Sequence, residues 1–167
     1  SLDAHKAPPE EIVLAVDATD DPLHGTQEGR FFHGYYDCYC YLPLYIFCGD
    51  HLLVAKLRRS NIDACAGAVE EVARLVSQIR ARWPQVRIVL RADAGFARDE
   101  LMSWSETNQV DYVLGLARNP RLVGEITAEL ALARAMAEGT GKAARCFKDF
   151  RYRTLDTGSR ERRVVGK

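Results

Sequence analysis

Hydrophobic and polar positions change period several times along this chain, and each change marks an element. Residues 12–16, Ile-Val-Leu-Ala-Val, form an unbroken apolar run, and the spacing predicts a buried strand over residues 11–17. Residues 20–34 are polar and contain glycine, which predicts a loop. Residues 35–48 are rich in aromatic and β-favouring types and read as a second strand, with Pro43 demanding a bulge or an unpaired amide inside it. Gly49-Asp50 signals a turn, and residues 51–57 return as a third strand, which completes an antiparallel meander. Ile62, Ala66, Val69, Ala73, Val76 and Ile79 then recur at helical spacing, with Asn61 or Asp63 as cap and Pro84 as stop. A strand follows over residues 86–91, a helix over 98–108 with Leu101 and Trp104 on one face, and a strand over 111–117. Asn119-Pro120 opens a last helix, striped by Leu122, Ile126, Leu130 and Ala133 and ended by Gly139 and Gly141. Residues 146–165 alternate as two strands around Asp156-Thr157-Gly158-Ser159.

The order is three strands, helix, strand, helix, strand, helix, hairpin. It fits an α/β fold whose sheet is mixed, an antiparallel three-strand meander continued by parallel strands and flanked by helices. This is the ribonuclease H-like order, in which the first strand and the strand after the first helix lie side by side. A length of 167 residues suits one domain with a sizeable core. No apolar run approaches a membrane span. The opening residues are polar, carry Pro8 and Pro9, and show no leader pattern; the start reads as a boundary within a larger protein. The five cysteines are odd in number and include no Cys-x-x-Cys pair, which predicts reduced thiols in a cytosolic protein. Cys38 and Cys40 share one strand face as small apolar filling.

Two apolar runs lead into an aspartate: Asp17 follows the first strand, and Asp93 follows the run at residues 86–90 by way of Arg91-Ala92. A carboxylate at a strand end reaches solvent while the strand stays dry. Two of them on neighbouring strands can share a divalent cation, because Mg²⁺ takes a few carboxylates together with water and phosphate oxygens. A turn or cap role is the plainer alternative for either residue. Net charge is zero, yet residues 142–167 hold nine basic and three acidic side chains. Such a cluster is an electrostatic footprint for a phosphate backbone, or else a solvated surface.

The set Asp17-Ala18-Thr19-Asp20-Asp21, His24-Gly25, Tyr41-Leu42-Pro43-Leu44, Leu57-Arg58, Arg91-Ala92-Asp93-Ala94-Gly95-Phe96 and residues 112–119 (Tyr-Val-Leu-Gly-Leu-Ala-Arg-Asn) resembles the DDE transposases of bacterial insertion sequences. More narrowly it resembles the group with a β-rich insertion before the last catalytic helix. The resemblance implies a catalytic core over residues 1–142 and the beginning of the insertion over 143–167. It implies Asp17 and Asp93 as catalytic, metal-binding acids, with Mg²⁺ as cofactor and Mn²⁺ as substitute. The family's third acid is a glutamate in a Tyr-x-x-Arg-x-x-x-Glu pattern; Tyr152-Arg153-Thr154-Leu155 does not match it, so a fragment inactive by itself is expected. The implied activity is DNA strand cleavage and strand transfer. The implied partners are double-stranded transposon ends and target DNA, bound by a homodimer, in the cytoplasm at the nucleoid and away from membranes.

Other residues have two readings each. Thr19 and Asp20 either support the metal site or form a turn. His24, Arg91 and Arg98 are candidate DNA contacts, with a plain loop histidine and structural ion pairs as their alternatives. Arg151, Arg153, Arg160, Arg162 and Arg163 are expected on an exposed hairpin as phosphate contacts. Tyr35, Tyr36, Tyr39 and Tyr41 read as sheet packing, with base stacking the alternative. Glu125 and Glu129 fit a solvated helix face better than a replacement third acid. Three other functions stand against the transposase: a ribonuclease H-like nuclease, a phosphatase with Asp17 as nucleophile, and an inert DNA-binding remnant. Thr19 stands where such phosphatases carry a second aspartate.

Overall fold

The computed structural model describes residues 7–167; the polar opening at residues 1–6 lies outside the described residues. The chain forms two compact units, the first ending at Leu116 and the second running Ala117–Lys167.

A five-stranded sheet forms the first unit. Its strands are β1 (Glu11–Ala18), β5 (Leu44–Cys48), β6 (His51–Lys56), β7 (Arg87–Ala92) and β8 (Asp111–Leu114), in the spatial order β6-β5-β1-β7-β8. β5 pairs antiparallel with both β1 and β6, whereas β7 pairs parallel with β1, and β8 with β7. This is the ribonuclease H-like mixed sheet. The parallel pairs need crossovers, supplied by α1 (Ala68–Arg82) and α2 (Asp99–Thr107). Strand alternation sends Ile12, Leu14 and Val16, with Leu44, Ile46, Ile88 and Leu90, to one face. There they meet Ala68, Val72, Leu75, Val76 and Ile79 of α1, with Phe96 and Leu101 beside them. The alternate positions are another matter: Val13, Ala15 and Val89 are half-buried, and Asp17, Arg91 and Val113 are exposed. One sheet face is therefore dry, and the acids stand on strands whose other side remains open.

Several expected boundaries move. Pro43 divides the long second strand into β4 (Cys38–Tyr41) and β5, as a residue without a ladder donor requires. The expected loop at residues 20–34 contains β2 (Asp21–Pro22) and β3 (Phe31–His33), which join β4 in a separate sheet ordered β2-β4-β3. Asn61 and Asp63 do not cap α1, which starts behind the left-handed Gly67; Asp63 instead caps a preceding turn by accepting the Cys65 amide at 2.9 Å. Tyr35 sits in the turn between β3 and β4 and is 86% exposed, so it does not pack on a sheet.

In the second unit the expected single helix is broken at Ile126 into α3 (Pro120–Glu125) and α4 (Thr127–Thr140). Asn119 caps α3 by accepting the Leu122 amide at 3.0 Å. The tail forms the hairpin of β9 (Lys148–Tyr152) and β10 (Arg162–Gly166). Among the described residues, no helix is long and apolar enough to cross a membrane.

Candidate functional site

Asp17 lies at the end of β1, and Asp93 directly follows β7. The two strands are parallel neighbours whose pairing runs from Glu11↔Arg87 to Ala15↔Arg91. Asp93 stands 76 positions beyond Asp17, the same offset as every pair in that ladder. Its backbone is still extended (φ −78°, ψ −170°), which carries the strand direction one residue further. The two residues are thus level at the same sheet end, and both are exposed. Across the other edge of β1, Asp17 pairs with Tyr45 of β5.

Each carboxylate is partly held by its own backbone. Asp17 Oδ1 accepts the Ala18 amide at 2.9 Å, and Asp93 Oδ1 accepts the Gly95 amide at 2.8 Å. Among the described residues, no hydrogen bond engages Oδ2 of either. Asp93 caps the short 3-10 turn Ala94–Phe96, which is anchored by the fully buried Phe96. On its far side, the Gly115 amide donates to the Ala92 carbonyl at 3.1 Å. A Cβ at Gly115 would lie 2.9 Å from the Ala94 nitrogen, so only glycine lets β8 end this close to the Asp93 turn.

Tyr36 is a neighbour that sequence reasoning missed. Burial pushes its phenol pKa up, and the charges of Asp20, Tyr35, Asp17 and Asp93 push it the same way. Asp17, Asp20 and Asp93 therefore act on one hydroxyl and share an electrostatic neighbourhood. Nothing in the alternation of residues 35–41 signals this, because Tyr36 belongs to a turn whose placement depends on the small sheet.

The donor set suits a hard divalent cation: two carboxylates, level, solvent-facing, each with an oxygen not taken by the backbone. Among the described residues no group of three His, Cys, Asp or Glu side chains gathers to hold a metal ion. Within the second unit the Glu125 carboxylate pairs with Lys148 at 3.6 Å, and Lys148 also donates to the Glu125 carbonyl at 2.5 Å.

The basic candidates separate. His24 is exposed in the segment between β2 and β3, and Arg91 is exposed on β7, opposite Ala15. Arg98 forms an ion pair with Asp63 at 2.8 Å. In the hairpin, Arg151, Arg153, Arg160 and Arg163 are exposed, and Arg163 donates to Asp149 at 2.7 Å. Arg162 corrects the expectation of five exposed arginines: it is only 9% exposed. The period-two alternation of β10 puts residues 162, 164 and 166 on its less exposed side, and Arg162 stands opposite Tyr152.

The sequence matches the family described as Transposase DDE domain group 1 over residues 1–167. The chain belongs to that family. No protein of curated function matches it. Among solved structures it is similar to the catalytic domain of the Mos1 mariner transposase, at 10% identity and TM-score 0.46, covering 77% of this chain and 60% of that one. It is similar to the Mos1 transposase in a paired-end complex with the left transposon end, at 11% identity and TM-score 0.43, covering 75% and 41%. It is also similar to the piggyBac transposase in a synaptic complex with hairpin DNA, at 10% identity and TM-score 0.46, covering 95% and 33%. The chain thus spans between a third and three fifths of the length of these proteins.

Proposed function

We propose that this chain is the catalytic core of a transposase that cleaves and joins DNA strands, with Asp17 and Asp93 as ligands of Mg²⁺ or, in substitution, Mn²⁺. The observation that carries the reading is the level placement of these two carboxylates on adjacent parallel strands of a DDE-family sheet. A bound divalent ion supplies the Lewis acidity that makes water or a 3′-hydroxyl a nucleophile and steadies the leaving oxygen. Asp17 and Asp93 hold that charge at the sheet end. Arg91 shares the strand side of Asp93 and offers a guanidinium to a phosphate entering the site. Double-stranded transposon ends and target DNA are the substrates in this reading, brought together by two copies of the protein at the nucleoid. Residues 1–142 serve as core and residues 143–167 as the start of an insertion whose exposed arginines touch phosphate.

With two acids gathered, the chain as it stands binds metal weakly and catalyses no strand transfer. The test is cleavage of an end-containing duplex by the whole transposase. Asp17→Asn and Asp93→Asn should each abolish it in Mg²⁺. Asp93→Cys should be inactive in Mg²⁺ and partly active in Mn²⁺, because a thiolate suits the softer ion better. Full Mg²⁺-dependent cleavage by either asparagine variant would overturn the assignment.

A further inference from the structure

The turn that presents Asp93 is clamped from outside by charged groups that do not belong to the acid pair. Arg98 Nε and Nη2 both donate to Asp63 Oδ2, at 3.1 and 2.8 Å. Arg98 Nη1 reaches the carbonyl of Ala94, the residue after Asp93, at 3.5 Å. Asp63 is itself fastened to its own loop, since its Oδ1 accepts the Cys65 amide at 2.9 Å. That loop is anchored in the core by Arg58, which is buried and donates to the carbonyls of Leu42 at 2.8 Å, Ala64 at 3.0 Å and Ala66 at 2.5 Å. The loop also abuts the turn directly: a Cβ on Gly95 would lie 3.3 Å from Ala64 Cβ. A chain of contacts thus runs from a buried guanidinium through residues 63–66 and Arg98 to the peptide beside Asp93.

We propose that Arg98 and Asp63 form a positioning pair that fixes the Asp93 turn and thereby sets the metal affinity of the Asp17–Asp93 site. The proposal rests on the metal-site reading above. Arg98 and Asp63 are each close to half exposed, at 45% and 48% of their side chains. An ion pair so exposed contributes little to global stability. What it does here is local: it joins two segments 35 residues apart at the point where one of them carries a ligand. Groups that orient a metal ligand typically change metal affinity by about 10–100-fold when removed.

The experiment uses the whole chain with Mn²⁺ as probe. Three quantities are measured for wild type, Arg98→Ala, Arg98→Lys, Asp63→Ala and Asp93→Asn: Mn²⁺ affinity, amide exchange of Gly95 by NMR, and Tm. Arg98→Ala and Asp63→Ala should each weaken Mn²⁺ binding by about tenfold. They should also speed Gly95 exchange selectively, because its partner Asp93 Oδ1 is no longer held still. Tm should move by less than about 4 °C. Arg98→Lys should recover part of the affinity, since it keeps the charge but not the fork. Unchanged Mn²⁺ affinity and unchanged Gly95 exchange in Arg98→Ala would overturn the proposal. So would a large fall in Tm with exchange accelerated throughout the chain, which would make the pair merely structural. If Asp93→Asn leaves Mn²⁺ binding intact, the metal-site reading fails; Gly95 exchange still decides whether Arg98 positions the turn.

Discussion

Gly115 shows how closely single positions constrain the site. A methyl group there would meet the Ala94 nitrogen at 2.9 Å and the Asp93 carbonyl carbon at 3.2 Å, and both are backbone atoms that cannot swing aside. Gly115→Ala should cost about 1–3 kcal/mol of stability, the usual penalty of overpacking, and should displace Asp93. Urea denaturation checks the first part; an Asp93 turn undisturbed by NMR would contradict the second. Asp63 gives a pH-dependent signature. Burial alone would raise its carboxyl pKa, but the Arg98 hydrogen bond, the Cys65 amide and the charges of Arg98 and Arg58 outweigh it and hold the group below its ordinary 3.8. A depressed carboxylate supports the fold above its unfolded pKa, and that support is lost as pH falls through the lower folded value. Stability should therefore be insensitive to Asp63 from neutral pH down to about 4 and should decline below it. Asp63→Asn should remove that part of the decline in a pH series of urea titrations. The strand-end positions of Asp17 and Asp93 were legible in the sequence because each follows an apolar run. The Asp63–Arg98 pair was not: charged residues 35 positions apart on exposed segments carry no pattern until the fold brings them together.

At the scale of elements, strong periodicity was readable and short pieces were not. The apolar runs of β1 and β7 and the helical stripe of α1 each bury a continuous face, so their type followed from pattern. The β2-β4-β3 sheet is built of strands of two to four residues, one of which contains Pro22, and such lengths hold no period to detect. The hairpin β9–β10 was foreseen, but not which arginines it turns inward. Alternation exposes Arg151, Arg153 and Arg163 and buries Arg162, and Arg163 already leans on Asp149. If the hairpin touches DNA, Arg151 and Arg153 are the better phosphate contacts. Their double alanine variant should flatten the slope of log affinity against log salt for duplex DNA by up to about 1.8, at roughly 0.9 per lost contact. Sequence preference should stay as it was, because phosphate contacts position without reading bases. An unaltered slope would make these residues a solvated surface.

Taken as a whole, the first unit divides its sheet into a dry side and an open side. Helices α1 and α2 crowd Leu14, Ile88 and Leu90, while Ala15, Arg91 and Val113 remain less covered on the alternate positions. The strand ends with Asp17 and Asp93 belong to that open side by alternation. Strand order was legible because parallel neighbours require crossovers and the helices fell between the right strands. The break at Ile126 was not legible, because the apolar stripe of Leu122, Ile126, Leu130 and Ala133 runs through it without a change of period. The central claim is that Asp17 and Asp93 hold one divalent ion between them. Mn²⁺ titration followed by electron paramagnetic resonance tests it most directly, on the wild-type chain and on Asp17→Asn and Asp93→Asn. The account predicts weak binding by the wild-type chain that disappears in both variants alike; binding that survives unchanged in either one would contradict it.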